Sequence, residues 1–355
     1  MTCEADDAGS AGVTSVTAVA PLVSSGGLTP EISLPYVRVE PTATSVGFSA
    51  LSSNTSGSQN TAVGTDALRF NTGGAGNTAV GASAMVENTT GLGNTAMGNN
   101  ALAFNTTGGA NTASGSHAMR NNLTGPENSA FGTSALINNL GGAANTAIGR
   151  NSLESNTQGG ANTAAGIRAL RSNTTGNLNT GIGANADVSS GGLVNATAIG
   201  ANAVVDSSNK VRLGDTNVTV IEGQVAYTFA SDRNQKENFL PVNGSDVLAR
   251  LRGVPVSSWN YIGQDAAQFR HYGPMAQDFY AAFGYDAIGA VGTATTINTG
   301  DMQGVLMAAI QALEERSLAQ KATIDRLAND NASLKARLEA MEQLLKDDPS
   351  QKVFV

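Results

Sequence analysis

The sequence predicts a mainly β chain with α-helical parts: a parallel β solenoid of seventeen-residue repeats, a small α+β module, and a C-terminal coiled coil. Three observations carry that prediction. Glycine recurs at Gly47, Gly64, Gly81, Gly98, Gly115, Gly132, Gly149, Gly166, Gly183 and Gly200, a fixed step of seventeen without one insertion, and self-similarity at a fixed period marks a solenoid. Aromatic residues gather at Trp259, Tyr261, Phe269, Tyr272, Phe279, Tyr280, Phe283 and Tyr285, as a conventionally packed core would require. From Leu306 to Leu345 apolar residues follow alternating steps of three and four, the signature of a coiled-coil seam.

Composition narrows the possible functions. Of 355 residues, 42 are glycine, 5% are aromatic and 14% are charged, so cores of large side chains can occupy only part of the length. A net charge of −8 gives no basic footprint for a phosphate backbone and argues against a nucleic-acid partner. The single cysteine, Cys3, excludes an intrachain disulfide framework, and His117 and His271 are too few and too scattered for a zinc site. No stretch approaches the roughly 18 apolar residues of a membrane span. The first 27 residues lack a basic start ahead of an apolar core and do not read as a complete secretory signal. Residues 1–42 read as a Gly/Ser/Pro-punctuated connector or attachment segment.

Over residues 43–205 further columns keep the step of seventeen. Asparagine occupies Asn60, Asn77, Asn94, Asn111, Asn128, Asn145, Asn162 and Asn179, and again Asn54, Asn71, Asn88, Asn105, Asn122, Asn139, Asn156 and Asn173. Alanine followed by a larger apolar residue forms a third column, as in Ala67-Leu68, Ala84-Met85 and Ala101-Leu102. The unit N-T-A-h-G-x-x-A-L-x-x-N-T-x-G-x-x predicts two short extended segments per coil, each closed by a turn that needs Asn or Gly. Coils rising about 4.8 Å would stack into a rod on the order of 50 Å long, with asparagine amides laddered one over another. Inward residues are expected to be mostly Ala with one medium apolar residue per segment, which buries little area in one chain. The sequons NTT, NTS and NLT fall on the turn column, and no GK[ST] follows any glycine-rich turn. Asp66, Glu87, Glu127, Glu154 and Asp187 sit on different columns and do not pair as a glycosidase requires. After Gly200 the pattern frays, and Asn209 to Tyr227 alternates apolar and polar residues, a closing β segment within 206–230.

The repeat unit resembles the left-handed parallel β-roll heads of trimeric autotransporter adhesins. That resemblance covers residues 43–205 and implies three chains wound about a common axis; a single-chain β-helix is the competing architecture. The step of seventeen is longer than the commoner adhesin repeat.

The shaft ends at the nonapeptide SDRNQKENF, Ser231 to Phe239. Taken locally, Ser231 followed by Asp232 reads as a helix N-cap with an acidic first turn. From Ser231 to about Arg316, however, the chain resembles the C-terminal intramolecular chaperone domain of phage tailspikes and tail fibres, known from endosialidases. Three blocks in order carry it: SDRNQKENF; VSSWNY (Val256–Tyr261) with RHYGPMAQDFYAAFG (Arg270–Gly284); and GDMQGVLMAAIQALEER (Gly300–Arg316). The resemblance implies a domain, here 231–302, that trimerises, templates folding of the β shaft and then cuts itself off. It further implies a catalytic dyad of Ser231 and Lys236. A serine hydroxyl becomes a nucleophile when a neighbouring base takes its proton, and lysine can be that base only when burial favours its neutral form. Attack of Ser231 on the carbonyl of Ala230 closes a five-membered ring, which favours the Ala230–Ser231 bond, with Ser231–Asp232 open if another chain supplies the nucleophile. Asp232, Arg233 and Glu237 read as solvated or inter-subunit salt-bridge partners. No organic cofactor or metal is implied.

Gly273 to Gly284 reads as a short amphipathic helix bounded by glycines. Over 303–347, Leu306, Ile310, Leu313, Ile324, Leu327, Asn331, Leu334, Leu338, Met341 and Leu345 form the seam, softened at Ser317 and Gln320, with Asn331 fixing register and Pro349 ending the helix. Heptads alone leave dimer and trimer open. The combined expectation is a homotrimeric virion tail fibre or bacterial surface fibre. Its N-terminus would attach to a baseplate or anchor, and it would meet a host receptor or glycan. Two readings from other classes stand beside it: a structural adhesin with a non-cleaving trimerisation cap, and an enzyme acting on host glycans.

Overall fold

A computed structural model describes residues 2–5, 13–17, 23–24, 32–33, 37–40, 43–224 and 230–347. They belong to two compact units, one ending at Glu222 and one beginning at Gly223. Ahead of the solenoid, β1 (Thr2–Ala5) pairs antiparallel with β2 (Val13–Thr17), and β3 (Val23–Ser24) with β4 (Ile32–Ser33). Strand β5 (Val37–Glu40) runs antiparallel to β6 (Ala43–Val46), the first strand of the solenoid.

From there each coil contributes one short strand to a single parallel ladder. Strand β6 is followed by β7 (Asn60–Val63), β8 (Thr78–Val80), β9 (Thr95–Met97), β10 (Thr112–Ser114), β11 (Ser129–Phe131), β12 (Thr146–Ile148), β13 (Thr163–Ala165) and β14 (Thr180–Ile182). The pairing is in register at the repeat period, with Ala113 opposite Ala130 and Ala130 opposite Ala147. After β15 (Asp187–Val188), strands β16 (Thr197–Ile199) and β18 (Val211–Leu213) finish the twelve-stranded sheet, with β17 (Val204–Val205) between them in sequence.

Both glycine columns are dictated by backbone. At Gly98 φ is +137°, and a Cβ would stand 2.6 Å from the carbonyl oxygen of Gly115 one coil on. Gly108 belongs to the second column, where a Cβ would press within 2.9 Å of the Asn122 amide nitrogen. Only glycine leaves room there for the asparagine ladders. In one ladder Asn71 Nδ2 donates to Asn54 Oδ1 (2.7 Å) and to its own turn at Gly74 O (3.0 Å). In the other, Asn77 donates both its backbone N–H (3.0 Å) and Nδ2 (3.2 Å) to Asn60 Oδ1. At the far end Asn179 Nδ2 crosses to Asn173 Oδ1 (3.0 Å) and Ala196 N–H caps Asn179 Oδ1 (2.8 Å), so the buried amides there are satisfied.

Three expectations for the shaft need correction. The expected second extended segment is a turn in most coils: Leu51, Leu68, Met85, Leu102, Met119, Leu136, Leu153 and Leu170 all lie at φ between 49° and 54°. In that left-handed conformation both members of the Ala-Leu pair face inward, Ala101 and Leu102 being fully buried. Only the last coils extend there, β15 pairing parallel with β17, and burial changes to the alternation of a strand, with Ala186 and Val188 inside. Secondly, the medium apolar residue of each strand points outward; Val63, Met97, Phe131 and Ile148 are exposed while Ala62, Ala96, Ala130 and Ala147 are buried. Thirdly, the closing β segment is short. Beyond Leu213 no strand forms through residue 224, and 225–229 lie outside the described residues. The sequon asparagines Asn88, Asn105, Asn122 and Asn173 are fully buried in their ladder, which removes them as glycan acceptors in the folded shaft.

In the second unit a 3-10 turn (Arg233–Gln235) precedes α1 (Gly244–Leu251), the hairpin of β19 (Ser257–Trp259) and β20 (His271–Gly273), α2 (Ala276–Phe283) and α3 (Thr299–Asp347). Helix α1 packs on α2 and α3. Gly244 makes the α3 contact possible, since a Cβ there would lie 2.7 Å from Ala312 Cβ. The expected aromatic core is small: Phe279 is buried with Val247, Ala309 and Ala312, whereas Tyr261, Tyr272 and Tyr285 are exposed. One chain has too few neighbouring elements here to cover its aromatics. The α2 helix fits the expected glycine-bounded segment, with Gly284 as its C-cap. Helix α3 ends at Asp347, and Pro349 lies outside the described residues.

Candidate functional site

The nonapeptide at residue 231 makes a compact local structure from its own hydrogen bonds. Asp232 adopts extended φ/ψ (−69°, 128°) and accepts at Oδ1 from Asn234 N–H (2.9 Å) and Asn234 Nδ2 (3.2 Å). Gln235 N–H then donates to Asp232 O (3.1 Å) and Lys236 N–H to Arg233 O (3.2 Å), closing the 3-10 turn. Lys236 leaves it extended (φ −126°, ψ 150°), and its side chain folds back. Lys236 Nζ donates to Ser231 Oγ at 2.7 Å. The two residues that sequence singled out are therefore in direct contact.

The cap itself differs from expectation. Asp232, not Ser231, is the N-cap, which leaves the Ser231 hydroxyl free of backbone duty and available to Lys236. Among the described residues Asp232, Arg233 and Glu237 form no ion pair; Arg233 instead lies 6.0 Å from the Phe239 ring centroid. Every residue from Ala230 to Asn243 is exposed in the single chain, so the Ser231–Lys236 contact faces water.

The surrounding module contributes structure. His271 stacks on Trp259 with centroids 4.7 Å apart, and neither His271 Nε2 nor Trp259 Nε1 has a hydrogen-bond partner. Arg270 staples the hairpin through Ser258 Oγ (2.7 Å) and Asn260 Oδ1 (3.1 Å). Asp286 closes the loop after α2 by accepting from Ile288 and Gly289 N–H; those donors, Gly289 first, hold its carboxyl below the usual range. No group of three or more His, Cys, Asp or Glu among the described residues is placed to hold a metal. Nor is any described helix long and apolar enough to cross a membrane. Two features escaped the sequence reading. Asn243 caps α1 by accepting from Asp246 N–H (3.2 Å), a helix signalled by Asn-Gly-Ser-Asp ahead of Val247, Leu248 and Leu251. The Asp232 cap was hidden by the more obvious Ser231.

Ser231 is also where a family match begins. Residues 231–287 match the chaperone of endosialidase. That family is one of self-cleaving intramolecular chaperones, and a β solenoid followed by such a segment fits a tailspike or fibre with a C-terminal chaperone domain. The chaperone-family match stops short of α3, so the third block, Gly300–Arg316, lies beyond it. No curated protein matches the chain.

Proposed function

We propose that this protein is the subunit of a homotrimeric tail fibre or bacterial surface fibre. In this reading its C-terminal module templates folding of the solenoid and then releases itself by cleavage beside Ser231. Ser231 is the nucleophile and Lys236 the general base. The observation that carries the reading is the 2.7 Å contact between them, located where the chaperone-family match begins.

The chemistry is an acyl shift followed by hydrolysis. Neutral Lys236 takes the proton of Ser231 Oγ, the oxygen attacks the Ala230 carbonyl carbon, and the C–N bond breaks as the amine of Ser231 receives the proton. The resulting ester between Ala230 and Ser231 Oγ is opened by water, leaving an Ala230 carboxylate and a free Ser231 hydroxyl. An exposed ammonium cannot take a proton, and burial against neighbouring chains disfavours the charged form. Assembly would thereby switch the base on.

Two unpartnered apolar surfaces support a trimer. Val46, Val63, Val80, Met97, Phe131, Ile148, Ile182 and Ile199 stand on the outer face of the sheet, each 37–49% exposed, a row broken only at Ser114 and Ala165; apolar surface gathered on one face marks an interaction site. Along α3 the seam residues Leu306, Ile310, Leu313, Ile324, Leu327, Leu334, Leu338 and Met341 are 46–67% exposed, as coiled-coil positions are before partners cover them. After release the trimeric shaft would persist through a high unfolding barrier. Attachment through the N-terminus and contact with a host receptor or glycan belong to the same proposal.

The exposure of Ser231 and Lys236 in the single chain favours a second reading, a trimeric adhesin whose cap never cuts. A refolding time course separates the two by intact mass and native size. Cleavage should follow trimer formation, and a seam variant such as Leu313→Asp that stays monomeric should stay whole. A monomeric variant cut at the full rate would contradict assembly-gated cleavage.

A further inference from the structure

We infer that Asp232 is the positioning residue of the self-cleavage site: its carboxylate acts as an N-cap that holds Ser231 and Lys236 together. This rests on the reading of Ser231 and Lys236 as a cleaving pair. The contact at 2.7 Å lies in an exposed stretch, Ala230 to Asn243, and residues 231–236 hydrogen-bond only to one another among the described residues. What remains is local. Two 3-10 hydrogen bonds, Gln235 N–H to Asp232 O and Lys236 N–H to Arg233 O, make a turn that is marginal by itself. Asp232 Oδ1 adds two more, from the N–H and Nδ2 of Asn234. Those bonds fix where the chain leaves the turn, and so where the lysine stem starts back toward residue 231.

The charge of Asp232 is not what the geometry uses. Its oxygen accepts from neutral amide donors, and it forms no ion pair with Lys236 among the described residues. An asparagine side chain offers the same acceptor at the same reach and is an equally good cap. Capping and charge therefore separate cleanly by substitution: Asp232→Asn keeps the cap and removes the charge, while Asp232→Ala removes both. Loss of one such cap corresponds to roughly a fivefold loss of the ordered turn.

The test uses the full chain as wild type, Asp232→Asn and Asp232→Ala. It follows cleavage by intact mass, trimer by native mass, and millisecond hydrogen exchange in the peptide spanning 231–239. The expected result is cleavage at near the wild-type rate for Asn, slowing by about fivefold or more for Ala, and unchanged trimer. Exchange in the peptide should quicken only for Ala. Equal slowing of Asn and Ala would assign Asp232 an electrostatic role and overturn the inference; so would an Ala variant that cuts as fast as wild type. If the wild type itself stays whole, the self-cleavage reading fails. Exchange then judges the cap alone, and identical rates in all three proteins would overturn it.

Discussion

Leu102 sits at φ 51°, a conformation bulky residues seldom adopt at a cost of about 1–2 kcal/mol. It persists because its N–H bonds to Ala118 O (3.0 Å) one coil on and its side chain is fully buried. Leu102→Ala should keep the turn but empty the core, lowering stability by about 2–5 kcal/mol, read as a drop in the melting temperature of the shaft. Gly98→Ala should cost on the order of 2–3 kcal/mol, since φ is +137° and its methyl would meet the next coil's backbone. Much at this scale was legible. A glycine needing positive φ and an asparagine needing a partner each recur visibly at the repeat period. The left-handed leucines were not, because Ala-Leu carries no local signal for such a turn; coil-to-coil hydrogen bonds override its propensity. Ser231 and Lys236 were paired only through the family resemblance, whereas the cap depends on which of two adjacent polar residues accepts from the turn's backbone.

At the scale of elements, the solenoid is held by amide ladders as well as by apolar burial. Asn105 Nδ2 donates to Asn88 Oδ1 and Gly108 O (both 2.9 Å), and Asn105 Oδ1 accepts from Asn122 (2.7 Å). Asn105→Ala leaves Asn88 Oδ1 without its amide donor and Asn122 Nδ2 with only its bond to Gly125 O, and should cost about 2–4 kcal/mol. The exposed Thr133→Ala should change stability by less than about 0.5 kcal/mol; comparing their denaturant midpoints checks the contrast. Helix α2 and the long α3 were readable from glycine boundaries and heptads. Helix α1 was missed because its apolar face is only Val247, Leu248 and Leu251, too short a pattern to stand out before Gly253.

On the whole-molecule scale, the exposed aromatics and the outward apolar strip belong together. Sequence reasoning placed those residues in a core; in a single chain they are on the surface, and the trimer proposed above would give them a core between chains. Phe131→Lys combined with Ile148→Lys should leave the coils intact while weakening the trimer, visible as dissociation at lower protein concentration in sedimentation. Unchanged assembly would move the interface to another face. Self-cleavage would follow from the same assembly, with one turnover per chain.

The most direct test of self-cleavage is the intact mass of the purified wild type beside Ser231→Ala and Lys236→Ala. Self-cleavage predicts two fragments from the wild type, split next to Ser231, and whole chains from both variants. Three full-length proteins that nevertheless form trimers would contradict it and leave the C-terminal module as a trimerising cap.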